Sequence, residues 1–200
     1  MKIAVMGDDD QWTELTNSPA AVNWIRISSL NKNISAANAY IILDKPLIEG
    51  LENIHQPILI NSVTATLKKL NAPSNVLRIN GWKGFLSRAK WEVAGRVNEA
   101  AEKVFSAMQK EIFMVADEPG LVAARPIAMI INEAYFTLEQ SVSTKDEIDT
   151  AMKLGTNYPF GPFEWASIIG LRNIYDLLNS LNNTDARYFP SLLLKKEATI

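Results

Sequence analysis

The stretch from Asp146 to Leu171, DEIDTAMKLGTNYPFGPFEWASIIGL, constrains this chain more than any other. It reads as a helix, a stop at Gly155, a turn built on Pro159, Gly161 and Pro162, and a second helix. Ile148, Met152, Leu154, Tyr158, Phe160, Phe163, Trp165, Ile168 and Ile169 crowd both sides of the turn. So apolar a corner has to be buried, and the neighbouring helices must pack around it. Upstream, Ile127, Ile130, Ile131, Ala134, Tyr135 and Leu138 mark the wide face of a helix running to about Val142, apolar nearly all round at Ala128 and Met129. That pattern predicts a central, buried helix. Ser143 is the predicted cap of the following helix, with Asp146 and Glu147 in its first turn. Beyond Gly161-Pro162 the amphipathic pattern continues through Leu171, Ile174, Leu177 and Leu181 to Asn182-Asn183, and Phe189-Pro190 leads into a short helix at 191–196. The surplus of apolar faces over so few helices predicts burial against a second copy, a homodimer through this half.

Glu118-Pro119-Gly120 is a break and the expected domain boundary. Before it, short apolar runs at Lys2–Met6, Val22–Ile27, Ala39–Asp44, Pro57–Ser62 and Asn75–Asn80 read as strands. Asp9–Thr16, Leu47–Ile54 and Val63–Leu70 read as helices between them. Phe85–Ala94 is a candidate last strand, followed by a helix at Arg96–Lys110 and a strand at Glu111–Asp117. Strands alternating with short helices predict a parallel sheet, in the order of a nucleotide-binding α/β domain.

The first strand-to-helix turn tests that reading. A dinucleotide site asks for G-x-G-x-x-G there, so that the backbone can approach a pyrophosphate at the helix N-terminus. The chain has Gly7-Asp8-Asp9-Asp10-Gln11-Trp12: one glycine, then three carboxylates that suit a helix start but repel phosphate. An exposed acidic turn is the plain reading; a metal-bridged phosphate on Asp8, Asp9 and Asp10 is the other. The second strand ends Arg26-Ile27-Ser28, without the acid that would hold a ribose. No cofactor is therefore expected.

Composition removes further classes. A net charge of -2 offers no attraction to nucleic acid or to an anionic membrane surface. Without cysteine there are no disulfides or thiolate sites, and one histidine, His55, allows no histidine metal cluster. The N-terminus turns acidic too soon for a signal peptide, and no apolar run spans a bilayer, so a cytoplasmic protein is the expectation.

From Asp117 onward the chain resembles the C-terminal domain of the 3-hydroxyacyl-CoA dehydrogenase family. The resemblance is carried by Asp117-Glu118-Pro119-Gly120, Asn132-Glu133-Ala134, Ile148 to Gly155, Tyr158-Pro159, Gly161-Pro162-Phe163-Glu164 and Ile169-Gly170-Leu171. It implies a fold of α/β plus all-α type: a truncated Rossmann-like parallel-sheet domain over 1–117, ancestrally NAD-binding. A helical, 6-phosphogluconate-dehydrogenase-C-terminal-like domain follows over 118–200, dimerising and forming one wall of an acyl-CoA cleft. Family enzymes use a histidine as general base on the 3-hydroxyl, oriented by a later glutamate, while hydride passes to NAD. The glutamate's place resembles Glu92, and the histidine's falls within Arg78-Ile79-Asn80-Gly81-Trp82; no histidine follows residue 55. Gly7 is what remains of the cofactor turn, the family's serine-asparagine pair shows only in part at Asn61-Ser62, and an expected asparagine is Ala124. Arg125, Lys83, Arg88 and Lys90 are the candidate partners for an acyl-CoA-like ligand's phosphates. The resemblance thus implies a family member without NAD-dependent dehydrogenase activity, a dimeric scaffold or acyl-CoA-type binder. The alternative is an active oxidoreductase on 3-hydroxyacyl-CoA, of fatty-acid metabolism, with non-standard residues.

Overall fold

The computed structural model describes residues 1–17, 20–30, 37–44, 50–51 and 53–200, in two compact units, Met1–Leu121 and Val122–Ile200. The first unit is built on strands β1 (Lys2–Met6), β2 (Asn23–Arg26), β3 (Ala39–Ile42), β4 (Ile58–Asn61), β5 (Val76–Ile79), β6 (Lys90–Ala94) and β7 (Glu111–Met114). They form one sheet in the order β2-β1-β3-β4-β5-β6-β7. Ile3, Val5, Ile41, Leu59, Leu77 and Val93 face one side with helices α1 (Asp9–Thr16) and α2 (Glu99–Ala107). Ala4, Met6, Tyr40, Ile42, Ile58, Ile60 and Val76 face the other, against Leu51, Leu67 and Leu70. Burial on both faces is why these strands read as unbroken apolar runs rather than alternating ones.

The sheet departs from an all-parallel one at β5 and β6, which run antiparallel, with Arg78 opposite Ala94 and Ile79 opposite Val93. Residues 80–89 return the chain beside β5 through turns, so the expected strand over Phe85–Ala94 begins only at Lys90. The expected helix at Val63–Leu70 is a run of bends and turns. It closes a single helical turn, Leu70 N–H to Thr66 O, and Asn71 then takes a positive φ of 48°. Its Leu67 and Lys68 N–H groups donate to the Asp117 carboxylate, and so leave the helical ladder. Half of the expected helix at Leu47–Ile54 lies outside the described residues. Asp117 also pairs with Arg78, which is fully buried and donates as well to the carbonyls of Ser62, Val63 and Glu118. Asp117 and Glu118 are thereby bound to the sheet unit.

The second unit is helical: α3 (Ala124–Glu139), α4 (Lys145–Thr156), α5 (Pro162–Ile169), α6 (Leu171–Asn182) and α7 (Leu192–Ala198). α3 packs on α5, α6 and α7 through Ala124, Ala128, Ile131, Ala134 and Tyr135, all buried. Thr144, one residue after the predicted Ser143, caps α4 in a reciprocal box with Glu147. α4 runs past Gly155 and ends at Asn157, which takes the left-handed conformation (φ 54°). Gly170 (φ 90°) breaks what the apolar pattern presents as one helix into α5 and α6.

The corner between α4 and α5 has a definite cause. Asp149 on α4 is buried and accepts from the N–H groups of Phe163 (2.8 Å) and Glu164 (3.0 Å), capping α5 from a neighbouring helix. A Cβ on Gly161 would stand 2.4 Å from the Asp149 Cβ, so only glycine admits this approach. Glu164 reaches back to the Gly161 N–H (2.9 Å) and pairs with Lys153 (2.5 Å). On the far side of α3, Asn132 holds both Phe189 O and Ser191 N (each 2.9 Å), Tyr135 donates to Glu197 (2.8 Å), and Glu139 accepts from Leu193 N (2.7 Å). Burial and the Glu197 carboxylate push the Tyr135 phenol up.

Candidate functional site

In an open α/β sheet, ligands bind outside the carboxyl ends of the strands where the strand order reverses. Here that point lies between β1 and β3. Gly7 ends β1 and leads into α1; a Cβ added to it would touch the Leu43 side chain at 3.1 Å. Asp8 is the N-cap of α1 and accepts from Gln11 N (2.8 Å), while the Gln11 side chain accepts from Asp8 N (3.3 Å). The same Gln11 carboxamide, 7% exposed, donates to Leu43 O at the end of β3 (3.0 Å) and to Gly81 O after β5 (3.2 Å). Asn61, at the end of β4, donates to Leu43 O (3.0 Å) and accepts from Gly81 N (3.1 Å). A Cβ on Gly81 would fall 2.7 Å from that of Asn61.

The three carboxylates after Gly7 are matched by cations rather than gathered for a metal. Lys83 pairs with Asp10 (2.7 Å) and Asp8 (3.1 Å), and Arg26 pairs with Asp9 (2.6 Å) and reaches Gly7 O (3.3 Å). Among the described residues no group of three or more His, Asp or Glu side chains is placed to hold a metal ion. Burial pushes the Asp8 carboxyl up, but the Gln11 N–H and the Lys83 ammonium together hold it below the usual range. The Asp10 carboxylate, more than burial opposes, raises Lys83. Further along α1, Glu14 accepts from the N–H groups of Gly84 (2.8 Å) and Ser87 (2.9 Å).

These residues do not fit a dinucleotide pyrophosphate. Such a group needs free turn N–H groups, glycines that let the backbone approach, and no nearby anions. Here Gln11 occupies the Asp8 N–H, three carboxylates ring the turn, and Arg26, not an acid, ends β2.

The resemblance puts the family's histidine within Arg78 to Trp82, the end of β5 and the turn after it. Continuing the antiparallel register of β5 and β6 by one position sets Asn80 opposite Glu92. Asn80 is 7% exposed; its Oδ1 accepts from Trp82 N (3.4 Å), and its Nδ2 has no hydrogen-bond partner among the described residues. Glu92 is half-buried on β6, and its charge acts on Arg88, whose guanidinium burial pushes down. Arg88 lies over the Phe85 ring, and Lys90 pairs with Glu111 at the exposed β6–β7 pair. Ser62 is buried and donates to Ala65 O (2.7 Å), closing the turn after β4. His55 is exposed in the loop before β4. Ala124 and Arg125 belong to the other unit, in the first turn of α3, Ala124 fully buried and Arg125 half-buried.

Gln11 and Asn80 are the two residues of this edge that composition and spacing do not single out. The one available signal was Asp8 followed three residues later by Gln11, a capping-box spacing. It foretells the bond to Asp8 but not the reach to β3 and β5.

Comparison with known proteins bears chiefly on the helical part of the chain. Residues 120–198 match the family model described as 3-hydroxyacyl-CoA dehydrogenase, C-terminal domain. The chain is 42% identical over 93 residues to 3-hydroxyadipyl-CoA dehydrogenase of Escherichia coli (strain K12), covering 46% of this chain and 20% of that protein. It is 35% identical over 100 residues to 3-hydroxybutyryl-CoA dehydrogenase of Bradyrhizobium diazoefficiens, covering 49% of this chain and 34% of the relative. The matched stretches thus span about a third or less of these relatives' lengths. Among solved structures, FadB2 of M. tuberculosis superposes with a TM-score of 0.77 over 98% of this chain and 93% of its own, at 15% identity, a likeness of fold.

Proposed function

We propose that this chain, whose helical unit belongs to the 3-hydroxyacyl-CoA dehydrogenase family as its C-terminal domain, works without NAD-dependent dehydrogenase chemistry. Its role is that of a dimeric scaffold or a binder of an acyl-CoA-type ligand. One observation carries the reading: no histidine follows residue 55, and the β5–β6 register continued by one position sets Asn80, not a histidine, across from Glu92. A carboxamide has no basic lone pair at neutral pH, so the pair cannot take the alcohol proton that a histidine and glutamate would take together. Loss of a general base typically costs ~10²–10⁴-fold in rate. The exposed Leu154, Tyr158 and Phe160 at the α4–α5 corner support self-association of the helical unit.

The test is direct. Incubated with NAD and a short 3-hydroxyacyl-CoA, the protein yields no NADH absorbance above a blank; a clear signal restores the active-oxidoreductase reading. Calorimetric titration with acetoacetyl-CoA then separates the two roles, since a bare scaffold gives no heat of binding. Light scattering after size exclusion reads the dimer.

A further inference from the structure

We infer that the crevice where a nucleotide would lie in this fold has become an internal joint, closed by the side chain of Gln11, and that the folded chain takes no dinucleotide. Five ties run from α1 and its N-cap to the segment after β5. Gln11 donates to Gly81 O, Lys83 pairs with Asp8 and with Asp10, and Glu14 accepts from Gly84 N and Ser87 N. They recur along α1 at residues 8, 10, 11 and 14, so one helix edge is fastened to 81–87 over its length. Asn61 braces the joint from β4 by bonding both Leu43 O and Gly81 N, which are neighbours of the Gln11 contacts.

A pyrophosphate entering here would have to displace the Gln11 amide from two buried carbonyls, leaving Leu43 O with the Asn61 amide alone and Gly81 O to find another donor. It would also set two negative charges among three carboxylates whose cations are already engaged. The groups a bound nucleotide would draw together are here drawn together by the chain itself. The joint is a positioning device: it orders 80–89, the segment that holds Asn80, without any ligand. This holds equally for a scaffold and for an acyl-CoA binder, so it stands apart from the reading of the chemistry above.

The test uses the whole chain, with NADH as probe and two readouts. In wild type, NADH at ~100 times a typical site's Kd would raise Tm by roughly 5–10 °C if it bound the folded state. The joint predicts no shift, and no change in NADH fluorescence. Gln11→Ala is expected to lower the Tm of the ligand-free protein, with Gln11→Glu lowering it too, because a carboxylate cannot donate to Leu43 O and Gly81 O. NADH binding to wild type overturns the inference, even if no turnover is seen. So does a Gln11→Ala protein as heat-stable as wild type, which would show that the side chain holds nothing. A dehydrogenase signal bears on Asn80 and Glu92; these two readouts bear on Gln11.

Discussion

Gly161→Ala isolates the contact that shapes the helical unit. The backbone at Gly161 (φ -75°, ψ 167°) suits alanine, so the substitution brings no conformational strain. Space is the obstacle: the new Cβ would lie 2.4 Å from the Cβ, Cγ and Oδ1 of Asp149. Carbon atoms in contact sit about 3.5–4.0 Å apart, so the α4 and α5 ends must separate by roughly 1 Å or Asp149 must swing away. Either movement breaks the bonds from Phe163 N and Glu164 N. Hydrogen bonds to a charged group are worth about 1.5–3 kcal/mol each, so losing both costs about 3–4 kcal/mol once water takes up the half-buried donors. Asp149→Gly removes the carboxylate and the Cβ together, and costs a similar amount plus about 1 kcal/mol for glycine within a helix. In that background the three atoms nearest the new Cβ are gone, and Gly161→Ala should add less than about 1 kcal/mol. The cycle therefore shows a coupling of about 2–3 kcal/mol. Urea unfolding followed by far-UV circular dichroism measures it, weighted toward the helical unit, where α3 to α7 lie. Additive costs, or a Gly161→Ala penalty below about 1 kcal/mol, would refute the argument that Asp149 is what demands glycine.

Two further outcomes are expected. Asp117→Ala strands the buried Arg78 charge and frees Leu67 N and Lys68 N, which should cost about 3 kcal/mol and be partly recovered by adding Arg78→Met; an unchanged Tm in Asp117→Ala would contradict it. Burial raises but the Arg78 and Lys83 contacts depress the Asp117 and Asp8 carboxyls below 3.8, so their stabilisation is present above that value and lost as pH falls through the folded pKa values. Tm measured from neutral pH downward should fall below about pH 4, and less steeply in Lys83→Met than in wild type.

Some of this fold stood plainly in the sequence. β1 and α1 occur where an apolar run ends at Gly7 and an acidic cap follows, because local burial and capping alone decide them. The turn between α4 and α5 was legible from its glycine and prolines, but the burial expected of the whole corner was not met: Ile148, Trp165 and Ile169 are buried, whereas Leu154, Tyr158 and Phe160 are exposed. Val63–Leu70 was not, since what unravels its helix is a carboxylate about fifty residues later in the chain. The reversal of β6 was likewise invisible, because strand direction is set by the path of 80–89 and not by the composition of either strand. At the site, the lone Gly7 ending β1 could be read from the sequence, while Glu92 was named only through the family resemblance. Gln11 could not be recognised as buried, since a glutamine on a short amphipathic helix ordinarily faces water.

The hold of α3 on α7 bears on the order in which the molecule can be made. Asn132, Tyr135 and Glu139 emerge first during synthesis, but the groups that satisfy them come 54 to 62 residues later. Until then α3 carries an unpaired buried amide and phenol along an apolar face, and α4 to α6 can assemble on it only partially. The helical unit should therefore complete its packing in one late event, when residues 189–197 arrive. A chain stalled short of that point would present the apolar face of α3 to whatever lies nearby.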